Sequence, residues 1–161
     1  MTDPRTEALA ARLEKGLQKS VEIFSRLTPE QWQKTLYQEP PWQVRHLLVH
    51  FVSSEIQLLD LVQSIVAGGS GAPPDMDIDR FNAEEQARLE GQSPSDLLNL
   101  LQRSRRETIE WVKTLDADQL DRLGRHPVLG EVSVATIIES IYGHQLFHIR
   151  DLVRLLGSDL N

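Results

Sequence analysis

The sequence predicts an all-α fold, a four-helix bundle with short extra helices in its connections. Three observations carry this expectation. Apolar residues recur at helical spacing over four long segments, Pro- and Gly-containing punctuation separates the segments, and no stretch shows the period-two alternation of a half-buried strand. With 161 residues and 40% hydrophobic content, one core and therefore one domain over 1–161 is expected.

Each element has its own signals. Asp3-Pro4 can start a first helix, whose Leu9, Leu13, Leu17, Val21, Phe24 and Leu27 share one face. Thr28-Pro29 then restarts a short turn around Trp32. Pro40-Pro41 is expected to open a second long helix carrying Val44, Leu47, Leu48, Phe51, Val52, Leu58, Leu59, Val62 and Val66, stopped by Gly68-Gly69. The loop GGSGAPPDM is expected to lack regular structure, after which Asp77 or Asp79 caps a shorter polar helix through Glu90, closed by Gly91. Ser93-Pro94-Ser95-Asp96 resembles a capping box with proline at the first helical position, leading into Leu97, Leu98, Leu101, Ile109 and Val112. A short turn spans Asp116 to Leu120, and Ser133 caps a last helix from Val134 to Leu156 with Gly157 as its stop. Four long amphipathic helices are the inventory of an antiparallel bundle.

Composition narrows the chemistry. The chain has no cysteine, so thiolate metal sites, iron–sulfur clusters and a cysteine nucleophile are excluded, and any metal must use nitrogen and oxygen ligands. The net charge of −7 argues against phosphate backbones and anionic membranes as partners, so neither nucleic acid nor membrane binding is expected. The basic run RSRR, Arg103 to Arg106, is read as a solvated helix face, being followed by Glu107 and Glu110. The amino terminus has no basic and apolar leader pattern and no run approaches the ~20 apolar residues of a membrane span, which predicts a soluble cytoplasmic protein.

The histidines carry the functional signal. His144 and His148 in HQLFH stand at the spacing of the zinc-binding HExxH motif, with Gln145 in place of its glutamate, and His46 and His50 form a second i, i+4 pair. Side chains four apart rise on one side of a helix, so each pair could chelate an ion, or could hydrogen-bond to a neighbouring helix. Helical phase at ~100° per residue puts His50 at the margin of its apolar face and His46 ~40° further towards solvent. On the last helix His148 lies inside the apolar arc, His144 at its edge and Gln145 near its middle. If the two helices are neighbours, His50, His144 and His148 aim at one seam. Three imidazoles leave coordination positions open, as in catalytic rather than closed structural sites. Gln145 could orient a water or ligand group, but an amide is no base near neutral pH, which disfavours the zinc-protease mechanism. Glu55, at the centre of an apolar face, either holds an imidazole N–H or bonds to a Trp, Tyr or backbone group elsewhere. Asn82 in RFNAEEQ either reaches the same pocket or faces solvent, and His126 in GRHPVLG is read as a turn residue.

Two stretches, PWQVRHLLVHFVSSE and HPVLGEVSVATIIESIYGHQLFHIRDLVRLL, together with DIDRFNAEE, resemble the DinB/YfiT-like superfamily of metal-dependent four-helix proteins. In that family a Trp precedes a metal-binding His by eight residues and the terminal helix carries HxxxH. The resemblance makes His50, His144 and His148 the metal triad and leaves His46 outside. Phe51 departs from the family's usual Leu, a change expected in packing rather than coordination. The resemblance further implies a divalent ion, zinc or nickel foremost, and a low-molecular-weight thiol such as mycothiol or bacillithiol as cosubstrate. The expected activity is thiol S-transfer to a small electrophile, favoured over hydrolysis, for which Glu55 would be the near base. A noncatalytic metal- or small-ligand-binding stress-response protein is the alternative, and homodimerisation is implied by the family.

Overall fold

In a computed structural model, residues 1–157 are described and form seven helices and two short antiparallel ribbons. The long helices are α1 (Arg5–Phe24), α3 (Val44–Val66), α5 (Pro94–Val112) and α7 (Val134–Leu156). The short ones are α2 (Pro29–Trp32), α4 (Ile78–Arg88) and α6 (Ala117–Asp121). The expected caps Asp77, Ser93 and Ser133 are present, and Thr28 and Asp116 cap the short helices α2 and α6 as well, each accepting a backbone N–H from the first turn it precedes. Asp96 is too short a residue type for the reciprocal half of a capping box, so Ser93 caps alone.

The bundle is not a simple succession. Helix α1 packs against α5 and α7, and α3 packs against the same two, so the ring runs α1, α5, α3, α7 and consecutive long helices α1 and α3 face each other across the core. The two helices with the candidate ligands, α3 and α7, are therefore neighbours.

The strands were not foreseen. Ribbon β1–β2 (Thr35–Tyr37 with Trp42–Gln43) leads directly into α3, and ribbon β3–β4 (Leu123–His126 with Gly130–Ser133) leads directly into α7. Pro40-Pro41 thus turns the first ribbon, and α3 begins three residues later, at Val44. Segments of two to four residues are too short to display alternation. The glycine-rich loop is likewise more ordered than expected. Gly71, at φ 93°, lies alongside Arg125, with Ala72 N–H donating to Arg125 O at 2.8 Å and Arg125 N–H to Ser70 O at 2.9 Å. A Cβ on Gly71 would fall 2.4 Å from the Arg125 nitrogen, so only glycine permits that approach.

Two apolar clusters fill the bundle, one around Leu13, Leu59, Val112 and Ile137, the other around Leu17, Leu48, Leu101 and Leu152. A polar layer lies between them. Arg105, only 1% exposed, donates to both carboxylate oxygens of Glu55 at 2.8 Å, to Leu13 O at 2.8 Å and to Gln145 Oε1 at 2.9 Å. Gln145 Nε2 in turn donates to Ser20 Oγ. This corrects two expectations. The RSRR run is not wholly a solvated face, since its third member is the bundle's central cation, and Glu55 bonds neither to an imidazole nor to an aromatic or backbone group. A guanidinium supplies donors in a planar fork that matches a carboxylate, which is why the acid tolerates burial here.

A candidate metal centre at the seam of two helices

His50 projects from α3, and His144 and His148 from α7, one turn apart. His144 Nε2 lies 3.0 Å from His50 Nε2 and 3.0 Å from His148 Nε2, and one ligand atom from each ring falls within 4.8 Å of the others. The three rings stand nearly perpendicular to one another, at 80°, 86° and 88°, so their nitrogen edges meet instead of their faces. A tetrahedral ion bonded at 2.0–2.1 Å holds its nitrogen ligands about 3.3 Å apart, close to the 3.0 Å that separates His144 from each of the other two rings. The donor set fits a divalent ion.

The outer edges of the rings are held as well. Trp42, from β2, packs on His50 with ring centres 5.1 Å apart, and Ser54 Oγ lies 3.4 Å from His50 Nδ1. His148 Nδ1 is 2.8 Å from Tyr37 Oη, and Tyr37 O–H donates to Asp151 Oδ2 at 2.8 Å. With the tyrosine proton directed to Asp151, its oxygen is free to accept N–H from Nδ1, leaving Nε2 with a lone pair for a metal. Burial, then the hydrogen bond to Asp151, raise the Tyr37 pKa, so the phenol keeps its proton. Tyr37→Phe removes the acceptor and is expected to weaken zinc affinity by roughly 10–100-fold, the usual effect of losing such a partner. Competition against a chelating indicator measures it, and unchanged affinity would show that Tyr37 does not orient His148.

Burial is the main cause that lowers all three histidine pKa values. His50 falls to about 3, helped by the other two rings, and His144 to about 4, helped by His148 and His126. His148 is lowered too, with Asp151 opposing. Neutral imidazoles are the metal-binding form. In the unfolded chain these groups titrate near their ordinary 6.5, so below that pH the unfolded state binds more protons than the folded one. Metal-free protein is therefore expected to lose thermal stability steadily from pH 7 to pH 5.5. A melting temperature that is flat or rising over that interval would contradict the burial of these rings.

The remaining candidates separate cleanly. His46 Nδ1 accepts the Gln43 N–H at 2.8 Å, capping α3 and standing apart from the three rings. Gln145 is buried in the Arg105 layer with both ends of its amide engaged there. Asn82, on α4, lies in the wall of a cavity beside His50, where its side chain favours the protonated ring. His126, read as a turn residue, is instead the last residue of β3, and its Nδ1 accepts from the following turn, from Val128 N–H at 3.0 Å and Leu129 N–H at 3.1 Å, while its ring also lines the cavity. Tyr37 and Asp151 escaped sequence reasoning. Asp151 stands one turn beyond His148 and could have been found by spacing, but Tyr37 is 111 positions away and has no local signal.

The cavity, about 600 Å³, opens from His50 and His144 between α3, α4, α7 and the β3–β4 turn. Helix α4 has few apolar residues, and Ile78 and Phe81 among them face this space. Arg45 holds the end of that helix, donating to the carbonyls of Leu89, Glu90 and Gln92 at 2.9, 2.8 and 2.6 Å.

A helical bundle in which three imidazoles converge from neighbouring helices beside an open cavity is an arrangement that could hold a metal ion. Comparison with known proteins is consistent with that arrangement. The chain belongs to the DinB superfamily, whose pattern matches residues 12–152. A curated relative from Oceanobacillus iheyensis, described as a candidate metal-dependent hydrolase, is 23% identical over 138 residues, covering 86% of this chain and 78% of the relative. YfiT from Bacillus subtilis, described as a probable metal-dependent hydrolase with an unusual four-helix bundle topology, superposes with a TM-score of 0.73 at 19% identity. The match covers 98% of this chain and 90% of YfiT, and it establishes the shared fold. Among the described residues no helix is long and apolar enough to cross a membrane.

Proposed function

We propose that the chain is a metal-dependent enzyme in which His50, His144 and His148 hold one divalent ion and a small nucleophile is delivered to a small electrophilic substrate in the adjoining cavity. The observation that carries this reading is the meeting of three Nε2 edges where two of the rings, His50 and His144, line the cavity. A divalent ion bound there supplies Lewis acidity, polarising a carbonyl and lowering the pKa of water or a thiol. The protein's own part is to fix the three rings, to hold the Nδ1 proton of His148 through Tyr37 and Asp151, and to exclude bulk water behind apolar walls.

What the cavity lacks supports one choice of nucleophile. Among the described residues no carboxylate lines it, and Glu55, the base a hydrolase would have used, is clamped by Arg105. An external thiol, ordinarily ionising near pH 8.5, needs no strong protein base once a metal lowers its pKa. Thiol transfer is therefore the first reading. Hydrolysis is the second, favoured by the descriptions of the Oceanobacillus iheyensis relative and YfiT. Metal-loaded protein assayed with low-molecular-weight thiols and electrophiles, and separately with esters and amides, distinguishes them. Metal-dependent conjugation supports the first and metal-dependent hydrolysis without thiol the second. Bound metal with no turnover in either arm would contradict catalysis.

A further inference from the structure

The cavity's lining carries information about its occupant. Its walls include Leu58, Met76, Phe81, Leu129 and Phe147, and among the described residues no Lys, Arg, Asp or Glu lines it. A charged group lodged against those walls would lose its hydration with no countercharge in return. Phe147, Leu129 and Val128 are 54%, 50% and 73% exposed, an apolar rim that folding alone does not require. The volume falls in the range of small-molecule sites.

Gly143 sharpens the picture. It lies in the interior of α7, one residue before His144, where glycine is less favourable than alanine. Gly16 in α1 has a packing reason, since a Cβ there would lie 2.8 Å from Gln145 Oε1 and 3.3 Å from Arg105 Nη1. Gly143 has no such reason. A Cβ would meet nothing within 4 Å, and its φ is not in the left-handed region. The space left by the absent side chain belongs to the cavity, beside a candidate ligand.

We propose that this cavity admits the uncharged, apolar body of the substrate, an aryl or branched alkyl group, and that Gly143 provides the room for it next to His144. The reacting polar group then sits at the inner end, where Ser54, Gln57 and Asn82 offer neutral hydrogen-bonding partners. The inference rests on the reading of the three histidines as a metal centre, but binding can be measured independently of turnover.

The test uses the zinc-loaded full chain and the neutral fluorophore N-phenyl-1-naphthylamine, displaced by three benzamides with the same head group. We expect 4-tert-butylbenzamide to displace it at concentrations at least about tenfold lower than 4-carboxybenzamide or 4-(aminomethyl)benzamide, a tenfold ratio being 1.4 kcal/mol. Gly143→Leu should lose fluorophore binding by about tenfold or more with zinc stoichiometry unchanged, whereas Gly143→Ala should raise the melting temperature of the ligand-free protein. Met76→Lys, at a wall residue that is not one of the three candidate ligands, should reverse the preference towards 4-carboxybenzamide. Equal displacement by charged and uncharged benzamides, or full fluorophore binding by a zinc-holding Gly143→Leu variant, would overturn the inference. A wild-type protein that binds no zinc would sink the metal reading instead, while the displacement order would still judge the cavity.

Discussion

Replacing His144 by alanine is expected to take the protein from one bound divalent ion per chain to none at micromolar metal, and to remove any metal-dependent activity. His144 is the ring whose Nε2 stands 3.0 Å from each of the other two, so its loss leaves the other pair without the nitrogen that bridges them. The chain has no cysteine to substitute as a ligand, and among the described residues no carboxylate lines the adjoining cavity. His46→Ala is the internal control. It removes the Nδ1 that caps α3, so it should cost about 1 kcal/mol of stability while leaving the metal content intact. Metal analysis after exhaustive dialysis, run on both variants, separates a ligand from a structural histidine. Retention of a stoichiometric ion by His144→Ala would contradict the assignment.

The second large effect lies in the polar layer. Glu55→Leu leaves the Arg105 guanidinium buried at 1% exposure without its carboxylate, the situation in which breaking a buried pair costs about 3–5 kcal/mol. For a chain of this size that corresponds to a fall in melting temperature of roughly 6–20 °C. Replacing both partners, Glu55→Leu with Arg105→Met, should recover part of the loss, since the stranded charge is gone while Leu13 O and Gln145 Oε1 lose a donor. Metal affinity per folded molecule should stay within a few-fold of wild type in either variant, because both carboxylate oxygens of Glu55 are taken by Arg105. A Glu55→Leu protein that melts normally but loses its metal would show that the acid serves the histidines after all.

These two sites also show what the sequence discloses and what it does not. The helices were legible because their signals are local: Ser133 and Gly157 mark the bounds of α7, Ser93-Pro94 the start of α5 and Asp77 the start of α4. The convergence of the three rings was legible because helical phase, a property of neighbouring residues, turns His50, His144 and His148 to the apolar side and His46 away from it. The fate of Glu55 depended on a partner 50 positions distant, and the RSRR pattern pointed the other way because three of its four residues do not reveal which one faces inward. Gln145 was placed at the middle of the buried arc, which is where it lies, but phase fixes a direction and not a partner. The ribbons before α3 and α7 were invisible for a related reason. Strands of two to four residues take their pairing from across a turn, and their contribution to the site, Trp42 against His50 and Tyr37 against His148, is a tertiary fact.

The account turns on three imidazoles sharing one ion, and X-ray absorption at the zinc edge of stoichiometrically loaded protein addresses that directly. The predicted spectrum has three histidine nitrogens at about 2.0–2.1 Å and an additional light-atom ligand that exchanges when a thiol is added. A fit that finds one imidazole or none, or a spectrum unaltered by the combined His50, His144 and His148 to alanine replacement, would contradict it.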